Sequence, residues 1–129
     1  MPDQNHRLVP AVERWTPVHE AVEMSEYEAL TVLLDAGADP NEICFGHTLL
    51  THAIEIEGDS HLQSGHRLNA AATAILLTYG ADPRLPALSG DTPLQVARSY
   101  DHELAERLLL RWLARGEEAG TGRESEGRS

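Results

Sequence analysis

The sequence predicts an all-α solenoid of about three helix–turn–helix units, with capped ends and an insertion in the middle unit. Three observations predict it. One phrase is written three times, as Thr16-Pro17-Val18-His19-Glu20-Ala21, Thr48-Leu49-Leu50-Thr51-His52-Ala53 and Thr92-Pro93-Leu94-Gln95-Val96-Ala97. A second phrase alternates with it, as Leu33-Leu34-Asp35-Ala36-Gly37-Ala38-Asp39-Pro40 and Leu76-Leu77-Thr78-Tyr79-Gly80-Ala81-Asp82-Pro83. Within the units, apolar residues recur at i, i+3 and i+4, the spacing of a helix with one buried face.

In the first unit Thr16 is a good N-cap and Pro17 suits the first helical position, where its missing N–H costs nothing. Val18, Ala21 and Val22 make the apolar stripe. A break near Ser25 precedes a second helix, in which Leu30, Leu33 and Leu34 face the core. Gly37 supplies the left-handed residue that ends it, and Asp39-Pro40-Asn41 turns the chain outward. In the middle unit Thr48 holds the cap position, with Leu49 and Thr51 standing where the first unit has Pro and His. The stretch Glu57 to His66 is polar, holds two glycines and is expected to be a loop. The second helix is expected from about His66 to Tyr79, with Leu68, Ala71, Ala72, Ile75 and Leu76 inward, and Gly80 at its end. The third unit starts at Thr92 and Pro93. Asp101 is expected to cap a terminal helix that carries Leu109 and Leu110 and stops at Gly116. Residues 116–129 are Gly-, Glu-, Ser- and Arg-rich and read as a disordered polar tail. Leu8, Val9 and Val12 are expected to cover the open end of the stack.

The two phrases resemble the ankyrin family, whose repeat carries T-P-L-H-x-A and later L-L-x-x-G-A-D. The spacing agrees. Thr16 to Thr48 is 32 residues and Thr48 to Thr92 is 44, against about 33 for one such unit and hence an insertion of about 11. A leucine pair begins 17 positions after Thr16 and again 17 after Thr92, but Leu76 follows Thr48 by 28. The extra residues therefore precede the second helix of the middle unit. The resemblance implies a domain over residues 1–115, with units of about 12–43, 44–87 and 88–115. It also implies a structural role for the Thr-Pro-x-His phrase: the hydroxyl of Thr16 and the imidazole of His19 hydrogen-bond across the helix start.

Charge narrows the partners. The formal net charge is −11. Residues 1–59 hold 12 acids and 2 arginines, while residues 60–115 hold 5 acids and 6 arginines. Binding to nucleic-acid phosphates needs the opposite sign, and an acidic field steers a basic protein toward it. No apolar run reaches the length of a membrane span. The single cysteine, Cys44, makes no internal disulfide, and the first residues lack a signal peptide's basic start and apolar core. The expectation is a cytoplasmic monomer. The absence of lysine fits the codon bias of a GC-rich bacterial genome.

Catalysis and metal binding are disfavoured. Cys44, His47, His52, His61 and His66 are spaced irregularly for a zinc site. No Gly-rich phosphate loop occurs, the serines sit in turns, and Glu55 and Glu57 lie two apart on different faces of a helix. No cofactor, metal or enzymatic activity is expected. What remains is a binding surface. The resemblance implies that it is built from hairpin tips and first helices: Glu13 and Trp15, then Phe45 and His47, then Asp91; and Glu20, Glu23 and Met24, then His52, Glu55 and Ile56, then Tyr100. His52 is expected on the exposed side of its helix. Aromatic anchors flanked by charge describe a protein-binding patch; the alternative for Trp15 and Phe45 is that they pack between neighbouring turns. The expected function is a protein–protein interaction module acting as adaptor or inhibitor. The alternatives are an immunity protein neutralising a toxin or nuclease, and a regulatory subunit of an enzyme.

Overall fold

The computed structural model describes residues 15–64 and 67–128, with side chains described as far as Arg115. Among the described residues, six helices and one short hairpin follow in order: α1 (Pro17–Glu23), α2 (Tyr27–Asp35), β1 (Ile43–Cys44), β2 (His47–Thr48), α3 (Leu49–Ser64), α4 (Ala71–Thr78), α5 (Pro93–Ser99) and α6 (Glu103–Arg128). They pair as α1–α2, α3–α4 and α5–α6, and each first helix packs against the next: α1 on α3, α3 on α5. The result is an all-α solenoid.

Local chemistry explains both phrases. Thr16 and Thr92 are extended N-caps whose hydroxyls accept from His19 N and Gln95 N. The Gln95 side chain bonds back to Thr92 N, which completes a capping box. At the middle unit Thr51 stands in for His. Its hydroxyl accepts from Thr48 N, and Thr51 N donates to the Thr48 hydroxyl, both at 3.0 Å. The second phrase is a helix stop. Gly37 and Gly80 have φ of +107° and +100°. Ala38 N donates to Leu33 O and Gly37 N to Leu34 O, and Ala81 and Gly80 repeat the pattern with Leu76 and Leu77; these are the two bonds of a Schellman motif. Asp39 and Asp82 then accept from Asn41 N and Arg84 N across the intervening proline, forming Asx turns.

The core runs continuously through the units. Val18, Val22, Leu30, Leu49, Leu50, Ile54, Leu76, Leu77, Ala97, Ala105 and Leu109 are buried, and each large aliphatic side chain contributes roughly 1.5–3 kcal/mol.

Four expectations are corrected. The stretch from Glu57 is not a loop: α3 continues through it to Ser64, making a 16-residue first helix beside the 7-residue α1 and α5. The reason lies in Glu57, only 7% exposed. Its Oε2 accepts from Ala72 N and Thr73 N, and its Oε1 from the Thr73 hydroxyl and His102 Nε2. Ala70, at the N-cap of α4, makes no side-chain cap bond, so a carboxylate from another helix satisfies the positive end of α4. That helix must be long enough to bring it there. The second helix of the middle unit accordingly starts at Ala71, not near His66, which lies outside the described residues. Asp101 does not cap α6: it is a left-handed turn residue at φ +53°, and His102 Nδ1 accepts from Ala105 N in the capping role. Finally, α6 runs on through residues 116–128, where composition predicts a disordered tail beginning at Gly116. A helical glycine costs about 1 kcal/mol relative to alanine, and with Glu117, Glu118 and Ala119 next to it that does not by itself stop a helix. The region of Leu8, Val9 and Val12 lies outside the described residues.

Candidate binding face

Between Cys44 and His47 the chain reverses on Phe45 and Gly46, at φ +52° and +80°. Both values are positive, as in the tight turn whose twist matches a two-stranded ribbon. A bulky residue is unusual there, because the left-handed region brings its Cβ against the backbone. The turn sets Phe45 outward, 48% exposed. The next tip is tied to it: Leu88 N donates to Gly46 O at 2.9 Å, and Leu88 is 79% exposed.

Trp15 lies against this hairpin and bridges two units. Its ring stacks on His52 at 4.4 Å and on His19 at 5.4 Å, and meets Phe45 edge-on at 4.7 Å. Trp15 and Phe45 thus pack on each other between neighbouring units while part of each remains open to solvent. The structure brings His19, His47 and His52 together beside them. His19 Nε2 donates to the Glu42 carbonyl at 3.1 Å, and its Nδ1 lies 3.0 Å from His52 Nδ1. The imidazole reaches the next unit; only the backbone N–H of His19 meets the Thr16 hydroxyl. His52 is not on an exposed side. It is 2% exposed beneath Trp15, with Nε2 2.7 Å from Glu23 Oε1. Burial pushes the pKa of both imidazoles down, that of His19 to about 4, partly offset by the Glu42 carbonyl; on His52 the Glu23 carboxylate offsets it.

The remaining expected residues fall in three groups. Glu20, Glu23, Met24 and Asp91 are exposed. Glu55 and Ile56 are half-buried; burial pushes the Glu55 carboxyl up, His47 pulls it down, and Asp91 pushes it up again. His47 Nδ1 lies 3.4 Å from Glu55 Oε1 without hydrogen-bonding to any described residue. Tyr100 is half-buried against α3, where a Cβ on Gly58 would stand 2.7 Å from its own Cβ. Glu13 lies outside the described residues. Of the residues weighed as metal ligands, Cys44 and His47 are on the hairpin, and His52 and His61 are both in α3.

Sequence reasoning missed Glu57, Gly58 and His102. The His102–Glu57 contact spans 45 positions, so no local pattern carries it. The one available signal was the pairing of an insertion with a Tyr-Asp-His start to the last helix.

A stack of helix pairs whose tips and first helices line one face is a repeat scaffold, the architecture that presents an extended surface to a partner. The repeat is the ankyrin repeat. Residues 13–44 match the ankyrin repeat family model. The chain is similar to an ankyrin repeat domain from Acinetobacter baumannii AYE, with 34% identity and a TM-score of 0.63 over 76% of this chain and 47% of that one. It also superposes on the human ASB11 ankyrin repeat domain, with 24% identity and a TM-score of 0.61 over 76% of this chain and 40% of that one, a likeness of fold. Curated relatives are the ARF GTPase-activating protein GIT1 of Homo sapiens and of Mus musculus, each 32% identical over 110 residues. The match takes 84% of this chain and spans 13% of the length of those relatives. No helix among the described residues is long and apolar enough to cross a membrane.

Proposed function

We propose that this ankyrin-repeat module binds a basic protein through its concave face, as an adaptor or inhibitor. One observation supports the reading most: exposed apolar side chains at successive tips, Phe45 and Leu88, stand with Trp15 beside the carboxylates of Glu23, Glu55 and Asp91, and Glu20 is exposed on α1. Apolar anchors give affinity when they are held in place before binding. Here the Gly46–Leu88 bond and the Trp15 stack hold them. The carboxylates then favour a cationic flank and speed encounter.

The test uses a displayed random-peptide library panned on the full chain. Enriched peptides are expected to carry arginine or lysine beside a bulky apolar residue. Trp15→Ala and Phe45→Ala each weaken the selected peptide by more than about 1 kcal/mol. Glu20→Arg combined with Glu23→Arg slows association more than it speeds dissociation. Enrichment without basic residues, or binding indifferent to all three variants, sinks the reading.

A further inference from the structure

Three contacts run in series from the concave surface toward the hairpin. Glu23 Oε1 lies 2.7 Å from His52 Nε2, His52 Nδ1 lies 3.0 Å from His19 Nδ1, and His19 Nε2 lies 3.1 Å from Glu42 O. A carboxylate and a carbonyl oxygen only accept, and an imidazole nitrogen donates only when it carries a proton. Each contact therefore needs a proton of its own, three in all. Two neutral imidazoles hold two. The arrangement is complete only when the chain of groups holds one proton more than two neutral histidines and a Glu23 carboxylate supply.

Removing that third proton forces one contact to fail. His19 Nε2–H must stay with Glu42 O, since nothing else on that contact can donate. If the second proton sits at His52 Nε2, two bare Nδ1 atoms face each other at 3.0 Å. If it sits at His52 Nδ1, a bare Nε2 faces the carboxylate. Both histidines are buried, at 0% and 2% exposure, whereas the Glu23 side chain is 41% exposed. Of the groups concerned, Glu23 is the one that can exchange its contact for water, so the surface contact is the one that opens.

We propose that Glu23, His52 and His19 form a proton-operated latch on the concave face. With the third proton, Glu23 is held down on His52 beside Trp15; without it, Glu23 swings out as a free carboxylate. Among the described residues, the charged groups acting on the latch are these. His47, on β2, repels a charge on either imidazole. Glu55, on α3, answers His47 at 3.4 Å and is itself pushed up by Asp91 at the third tip. Glu42 contributes its carbonyl, and Trp15 covers both rings. Because burial holds both histidines below their ordinary value, the third proton comes on below neutral pH. The latch is open at neutral pH and shuts in acid. It is a property of the chain alone and stands apart from what binds the face.

The experiment uses the full chain carrying Trp112→Phe, which leaves Trp15 as the single tryptophan of the two. Trp15 fluorescence and the side-chain nitrogen resonances of His52 are followed from pH 8 to pH 4. One reversible transition is expected below pH 6.5, in which His52 Nε2 gains a proton and the Trp15 emission shifts with it. The amide of Glu23→Gln can donate to His52 Nε2, so three contacts are then made with two neutral imidazoles and the transition is lost, with the closed emission at every pH. In Glu23→Ala the transition of Trp15 is lost in the open form. Circular dichroism checks that both variants keep the fold. A His52 Nε2 that stays protonated from pH 8 to pH 4, or a Glu23→Gln protein that titrates like its parent, overturns the proposal.

Discussion

Two histidine–carboxylate pairs of nearly equal length span the two junctions between the three described helix pairs. Glu23 meets His52 at 2.7 Å between the first and second units, and Glu57 meets His102 at 2.8 Å between the second and third. Around Glu57 every proton is assigned. The carboxylate accepts four hydrogen bonds, His102 Nε2 donates one of them, and His102 Nδ1 accepts from Ala105 N. Both side chains are almost fully enclosed, at 4% and 0% exposure. The other pair has an exposed carboxylate and one proton too few. The same two residue types thus make a fixed joint where all donors and acceptors match, and a titrating one where they do not.

The largest expected effect breaks the fixed joint. Glu57→Ala leaves His102 Nε2 and the first N–H groups of α4 buried without an acceptor, and should cost about 3–5 kcal/mol of stability in urea unfolding. A loss under about 1 kcal/mol would mean that the Glu57 joint is no firmer than the other. Gly58→Ala tests the same joint by volume. The new methyl meets Tyr100 Cβ at 2.7 Å, and the expected loss is about 1–3 kcal/mol. A neutral result would show that Tyr100 moves freely and that α3 does not fix the third unit.

Acid sharpens the comparison from the other side. His19 has its folded-state pKa lowered to about 4 from 6.5. In that window the unfolded chain binds more protons, so stability is fully present above pH 6.5 and falls as the pH drops from 6.5 toward 4. A urea midpoint that is flat across this range contradicts the burial seen at His19. His52→Ala should reduce the slope of that fall while costing far less at pH 7 than Glu57→Ala, because the Glu23 it leaves behind is already wet. Equal losses for the two would erase the distinction between the joints. The smallest effect expected is that of Glu23→Gln on stability at pH 7, within about 0.5 kcal/mol of the parent.

Much of the fold was legible because ankyrin turns are written in local chemistry. Thr16, Thr92, Pro17, Pro93, Gly37 and Gly80 each act within four residues of where they stand, and each sits where its spacing predicts. The long α3 was illegible for the opposite reason. Glu57-Gly58-Asp59-Ser60 has the composition of a loop, and only a bond to α4 and His102 shows why it is helical. The face was legible in part. Trp15, Phe45, Glu20 and Glu23 lie where hairpin and helix register put them, but His52 was expected outside. Its position in the repeat is an exposed one, and only a tryptophan from the neighbouring unit, resting on it at 4.4 Å, makes it interior.

The long middle helix also sets the order in which the array comes apart. In a stack whose members touch only their neighbours, stability divides into contributions from each unit and from each junction. The reach of α3 to Tyr100 and His102 adds buried polar bonds to the second junction, so the two units it joins are expected to melt and form together. The first described unit, which adds an exposed carboxylate and a stacked tryptophan to its apolar packing on α3, is expected to open first. Amide hydrogens of Leu30 and Leu34 should therefore exchange well before those of Leu76 and Leu109, and Trp15, Phe45 and Glu23 lie beside the junction expected to open first.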